Sequence, residues 1–139
     1  MLVEKHNIKN LVFVRLNPGD DLLEGIEKAV KDNNITNAVI LSGVGSVTSH
    51  SYHVVGTAAL PPKNEFVQGE KPADIVNING FVINGRIHAH IIFSDPHNSY
   101  GGHLEPGVRI LTFGAVTLAE ADADFEHWDH VGKIEDVLG

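Results

Sequence analysis

The chain contains no cysteine. Disulfides and thiolate metal sites are therefore excluded, and the choice of ligands for any cation narrows to imidazole and carboxylate. Basic residues are scarce: ten Lys plus Arg stand against eighteen Asp plus Glu, for a formal charge of −8. That balance is wrong for gripping a phosphate backbone, because counterion release needs clustered positive charge. No apolar run approaches the roughly 20 residues needed to span a bilayer. The first ten residues, MLVEKHNIKN, hold no apolar core of signal-peptide length. A cytoplasmic protein without a membrane partner is the expectation. No internal repeat, low-complexity tract or linker interrupts the 139 residues, so one compact domain over 1–139 is expected. Hydrophobic residues at 42% and charged residues at 20% suit a soluble globular protein.

What is present reads in order. Leu11 to Leu16 (LVFVRL) is strand-forming, and Asn17-Pro18-Gly19 ends it with turn chemistry. Asp20 or Asp21 caps a helix, with Glu24 three residues past Asp21 in capping-box position. Leu22, Leu23, Ile26, Ala29 and Val30 form its apolar stripe, and Asn33-Asn34 marks its end. Ala38 to Ser42 is a short buried strand. Gly43-Val44-Gly45-Ser46 follows it and reads as a tight turn, since no Lys-Ser/Thr or helix start completes a phosphate loop. Ser46 to Val55 alternates as a strand that puts His50 and His53 on opposite faces, as solvated or hydrogen-bonded histidines and not as a ligand pair. Gly56 to Asp74, with three of the six prolines, reads as a long connection from which Glu65 and Phe66 could reach a site. Val108 to Ala119 is a last strand, apolar on both faces, with Gly114 as a candidate bulge. The pattern favours α+β, a largely antiparallel sheet with one main early helix. Near the end, His127, Asp129 and His130 read as surface or interface residues.

The most informative stretch is Gly85 to Gly107, GRIHAHIIFSDPHNSYGGHLEPG. Asn84-Gly85 before it is a strong signal for a two-residue hairpin turn, which needs φ > 0 at both positions. That turn sets Ile83 opposite Arg86, Phe81 opposite His88 and Asn79 opposite His90. Val76, Ile78, Val82, Ile87, Ala89, Ile91 and Phe93 then form a core face. Asn77, Asn79, Phe81, His88, His90 and Ile92 share the other. His88 and His90, two apart on a strand, point the same way, roughly 6.5 Å apart along it. His103 joins them if the polar segment 96–102 folds back, with Gly101-Gly102 allowing a sharp approach. Three imidazoles make a zinc site with one position left open, the pattern of catalytic and not structural zinc. Spacing alone leaves a second reading, in which the pair are polar residues on a solvent-facing strand.

LNPGDDLLEGIEKAV, AVILSGVGSV and above all GRIHAHIIFSD with GGHLEPGVRILTFGAVTL resemble the PPC domain, a family shared by plants and prokaryotes. The resemblance covers about 11–120 and leaves an acidic C-terminal segment, 121–139. It implies a stand-alone prokaryotic PPC-type protein that forms homotrimers. In plants the domain follows AT-hook segments; no Arg-Gly-Arg core occurs here, and the histidines that plant members usually lack are present. The HxH and later His are also similar to the three-histidine zinc site of acetolactate decarboxylase, which implies a metal on His88, His90 and His103. Two functions follow as expectations. One is a zinc-dependent enzyme acting on a small anionic metabolite, with Arg86 and Arg109 either anion partners or solvated strand positions. The other is a DNA-binding or protein-interaction module without catalysis, against which the charge argues for the isolated chain. The sequence assigns no role to His50, His53, His97, His127 or His130.

Overall fold

The Asn84-Gly85 turn forms as expected, with φ of 50° and 78° at its two residues. It joins two strands whose register sets Ile83 against Arg86, Phe81 against His88 and Asn79 against His90. The chain is seen in a computed structural model that describes residues 1, 3–125 and 128. The reading of His127, Asp129 and His130 lies outside the described residues.

Six strands and one helix follow in the order β1 (Ile8–Leu16), α1 (Leu22–Asp32), β2 (Ala38–Val55), β3 (Asn64–Ile83), β4 (Arg86–Ser94), β5 (Ser99–Leu104) and β6 (Ile110–Ala121). All pairings are antiparallel, in the order β1-β6-β2-β3-β4-β5. A further pairing of β5 with β2, Tyr52 to Leu104 and His53 to His103, closes β2, β3, β4 and β5 into a ring of strands. The early helix is capped by Asp21, whose side chain accepts the backbone N–H of Glu24 at 3.1 Å, and ends at Asn33. It buries Leu22, Leu23, Ile26 and Val30. With eleven α-helical residues among those described, the fold is a largely antiparallel sheet in one domain and lies nearer all-β than α+β.

Two expectations are corrected, and together they account for that shift. Residues 43–46 make no turn, because β2 runs unbroken from Ala38 to Val55. The glycines answer close approach instead: a Cβ on Gly43 would strike Ile78, and one on Gly45 would strike the carbonyl of Phe113 on β6. The long connection also shrinks, since β3 begins at Asn64 and pairs with β2 from there through Glu70 and again over residues 73–75 and 80–82. Pro72 falls where that register slips between Val47 and Ser49, a bulge in which a missing N–H leaves no ladder bond unmade.

The hairpin's core face holds for Ile78, Val82, Ala89, Ile91 and Phe93, all buried, with Ile87 packed against them. Val76 departs from it at 54% exposure. The register slips between Ile75 and Asn77, so Ile75 takes the inward place opposite Phe93 and Val76 is turned out. The last strand is apolar on both faces but covered on one. Ile110, Val116 and Leu118 are buried, whereas Leu111 and Phe113 are exposed.

Candidate metal centre

The opposite face of the hairpin carries the chemistry. His88 and His90 alternate with buried Ala89 and Ile91 on β4, which turns both imidazoles outward. At Asp95 the chain reverses: its carboxylate accepts the N–H groups of His97 and Asn98, both at 2.8 Å, and its other oxygen pairs with Lys71 at 2.7 Å. Those bonds hold the Asp95 carboxyl down at about 2, the Lys71 bond foremost. The return strand β5 then sets His103 directly opposite His90. A Cβ at Gly101 would strike the Ile91 carbonyl, and one at Gly102 the His53 carbonyl, so this glycine pair lets β5 lie close to both neighbours.

The three histidines expected at the site come together. Ring centroids are 5.4 Å apart for His88 and His90, 4.8 Å for His88 and His103, and 5.7 Å for His90 and His103. One ligand-capable atom from each lies within 4.8 Å of the others. Burial, then repulsion from His53 and His88, pulls the His103 imidazolium down to about 4. Burial, then His90 and His53, lowers His88 as well. Both rings are therefore neutral at neutral pH, the form that ligates a metal. A convergent, all-nitrogen donor set of this kind fits zinc.

Two further residues join them. His53 pairs with His103 across the β2–β5 closure, and their rings stack at 4.3 Å and 28°. Its Nδ1 lies 2.6 Å from the Glu105 carboxylate. Ligand-capable atoms of His53, His103 and Glu105 form a second group within 4.8 Å. A cross-strand row thus runs Phe66, His53, His103, His90, Asn79 over β3, β2, β5, β4 and back to β3. Phe66 packs on His53 at 5.1 Å, so this residue does reach the site. His53 is hydrogen-bonded, as the sequence suggested, but its membership of the cluster depends on a pairing that no local pattern announces. Glu105 was visible in principle, two residues beyond His103 on the same side of the chain.

The other candidates are placed elsewhere. Arg86 lies two residues before His88 on β4 and lines a groove with Glu27 and Lys31 of α1. Arg109 donates through its guanidinium to the Gly19 carbonyl and through its backbone N–H to Ser49 Oγ. Ser49 precedes His53 by four residues, about 13 Å along β2, so Arg109 belongs to the helix start and not to the histidines. His50 is buried inside the strand ring against Tyr52, Phe93 and Tyr100. His97 is an exposed turn residue.

Residues 3–122 match the profile of the Plants and Prokaryotes Conserved (PCC) domain. The bifunctional protein GlmU of Synechococcus sp. (strain JA-3-3Ab) is 28% identical over 109 residues, 78% of this chain and 17% of that protein. The chain thus spans only a small part of the curated relatives it matches. Among solved structures, a metal-containing protein of Archaeoglobus fulgidus superposes with a TM-score of 0.74 at 24% identity, covering 89% of this chain and 88% of that one. A candidate DNA-binding protein of Bacteroides thetaiotaomicron gives 0.73 at 16% identity, covering 86% and 85%. Acetolactate decarboxylase of Bacillus subtilis gives 0.57 at 15% identity, covering 86% of this chain and 55% of that enzyme. At these identities the likeness is one of fold.

Proposed function

This chain belongs to the Plants and Prokaryotes Conserved (PCC) domain family, and we propose that it is a metal-binding member holding one divalent ion, zinc by donor chemistry, on His88, His90 and His103. The observation that carries the reading is the convergence of three imidazoles, with His88 and His103 kept neutral by their surroundings. Bound zinc would supply Lewis-acid polarisation of a carbonyl or acidification of a water. Three protein donors leave a tetrahedral ion one exchangeable position, which suits a small ligand better than a purely structural role. The metal-containing Archaeoglobus protein lends support through its fold. A homotrimer is part of the proposal, supported by the apolar residues exposed on β1 and β6.

The test is elemental analysis of protein purified without a metal-affinity tag, followed by zinc titration of the chelator-treated chain. One ion per chain is expected. Absence of metal in both measurements overturns the reading. The second reading, DNA binding, draws on the Bacteroides neighbour. The charge of −8 tells against it.

A further inference from the structure

We propose that Glu105 and His53 are positioning residues of the histidine site: Glu105 fixes the ring of His53, and His53 holds His103 in the orientation that faces His88 and His90. This rests on the metal-binding reading above and adds to it two residues outside the three-histidine set.

The contacts form a chain. The ionised Glu105 carboxylate accepts hydrogen bonds and cannot donate them. The 2.6 Å contact therefore makes His53 Nδ1 the donor and fixes the His53 tautomer. Both side chains are mostly withdrawn from water, at 19% and 27% exposure, so the bond is poorly screened. His53 then lies nearly parallel to His103, and His103 meets His88 and His90 edge-on, at 79° and 73°.

That geometry argues against His53 as a fourth ligand. Imidazole lone pairs lie in the ring plane, so two stacked rings aim their nitrogens side by side and not at one point. Accordingly, His53 enters a close donor group with His103 and Glu105, not with His88 and His90. What stacking does provide is a flat wall that stops His103 from rotating away.

His103 needs such a wall. The residue before it on the same face of β5 is Gly101, which has no side chain to pack against the ring. β5 is only six residues long and meets β2 through two residue pairs. The support therefore comes across the closure, where Gly102 lets the β2 backbone lie close enough for the rings to touch. Phe66 backs His53 at 5.1 Å and limits its retreat. A carboxylate holding a histidine is the usual outer partner of metal-binding imidazoles, and its loss typically weakens metal affinity by about 10–100-fold. Here the same restraint passes through one additional ring.

The experiment is competitive titration of Zn2+, with parallel visible spectra of the Co2+ form, on the whole chain and on His53→Ala, Glu105→Ala, Glu105→Gln and His103→Ala. His53→Ala and Glu105→Ala should each weaken zinc by about 10–100-fold while keeping one ion per chain, and should alter the Co2+ bands. Glu105→Gln should recover part of the loss, because its amide oxygen still accepts from Nδ1. His103→Ala should lose nearly all binding. Zinc affinity unchanged within about twofold, judged against that about 10–100-fold expectation, in both alanine variants overturns the proposal. Loss of the ion in His53→Ala as complete as in His103→Ala also overturns it, by making His53 a ligand. If His53→Ala does not fold, the Glu105 variants decide the question by the same criteria. A wild-type chain that takes no zinc refutes the metal reading itself, an outcome distinct from an occupied site that ignores His53 and Glu105.

Discussion

At the scale of single residues, two imidazoles of the site, His88 and His103, are held below their ordinary range by burial and by neighbouring histidines. His103 is held near 4, well under its ordinary 6.5, because the folded chain desolvates it and surrounds it with other histidines. Between those two values the unfolded chain binds a proton at this position that the folded chain refuses. Stability contributed by His103 is thus fully present above about 6.5 and is lost as pH falls toward about 4. His88 is shifted the same way and adds to the loss. In the metal-free protein, the urea midpoint should therefore drop between pH 7 and pH 5, and His103→Gln should flatten the drop. A profile that stays level in the wild type over that interval would refute the account. Protons compete with zinc for the same ring nitrogens, so the midpoint gain at a fixed zinc concentration should be largest near neutral pH and shrink toward the acidic end. His90 allows the complementary test. Its side chain is exposed and alternates with buried Ala89 and Ile91, so His90→Ala should remove most of the metal while shifting stability by no more than about 0.5 kcal/mol. Inductively coupled plasma analysis and a denaturation curve on one sample measure both.

At the scale of elements, legibility followed the range of the contacts. The helix from Asp21 to Asn33 was readable because its cap, stripe and stop are all local. The β3–β4 register was readable because a two-residue turn at Asn84-Gly85 fixes every pair beyond it, so His88 and His90 could be placed on one face. His103 could be placed once the segment after Pro96 was taken as a return. The β2–β5 closure was not readable. It joins His53 to a strand fifty residues later, and nothing in SVTSHSYHVV distinguishes it from an ordinary alternating strand. Gly43 and Gly45 misled for a related reason: turn glycines and close-approach glycines look alike until the neighbouring strand is known. Bulges at Val76 and Pro72 likewise depend on partners and not on local pattern. The glycines of β5 show how much the site depends on such approaches. Gly101→Ala would push a Cβ into the backbone carbonyl of Ile91, between the two strands that hold His90 and His103. Overpacking of this kind costs about 1–3 kcal/mol, and here it should also lower zinc affinity by separating the ligands. Normal affinity in a destabilised Gly101→Ala protein would mean that the ligands do not depend on the spacing of the two strands.

At the scale of the whole molecule, charge and exposed apolar surface point to different partners. With eight more acidic than basic residues, the isolated chain should not bind duplex DNA tightly at ~150 mM salt. A sub-micromolar anisotropy titration with a steep salt slope would show that a basic surface forms after all. The apolar surface favours copies of the chain itself. Phe13 on β1 and Phe113 on β6 line one groove, with Arg15 paired to Ala115 between them. Phe13 is 75% exposed and Phe113 42%. Val44, opposite Ala115, extends the same face onto β2. Neighbouring exposed aromatics and aliphatics on one sheet face are rare on proteins that stay single in solution. Helix α1 does not cover them, since its apolar stripe is already spent on the core that includes Leu16, Ile26 and Ile110. Sedimentation equilibrium at micromolar concentration should therefore give three copies, the number that the family resemblance implies. Phe13→Asp places a charge in the most exposed part of the patch without disturbing a buried contact, so it should give a folded monomer. A wild-type chain that sediments as a monomer would count against the homotrimer. A trimer that survives Phe13→Asp would keep the number but move the interface to another face of the sheet.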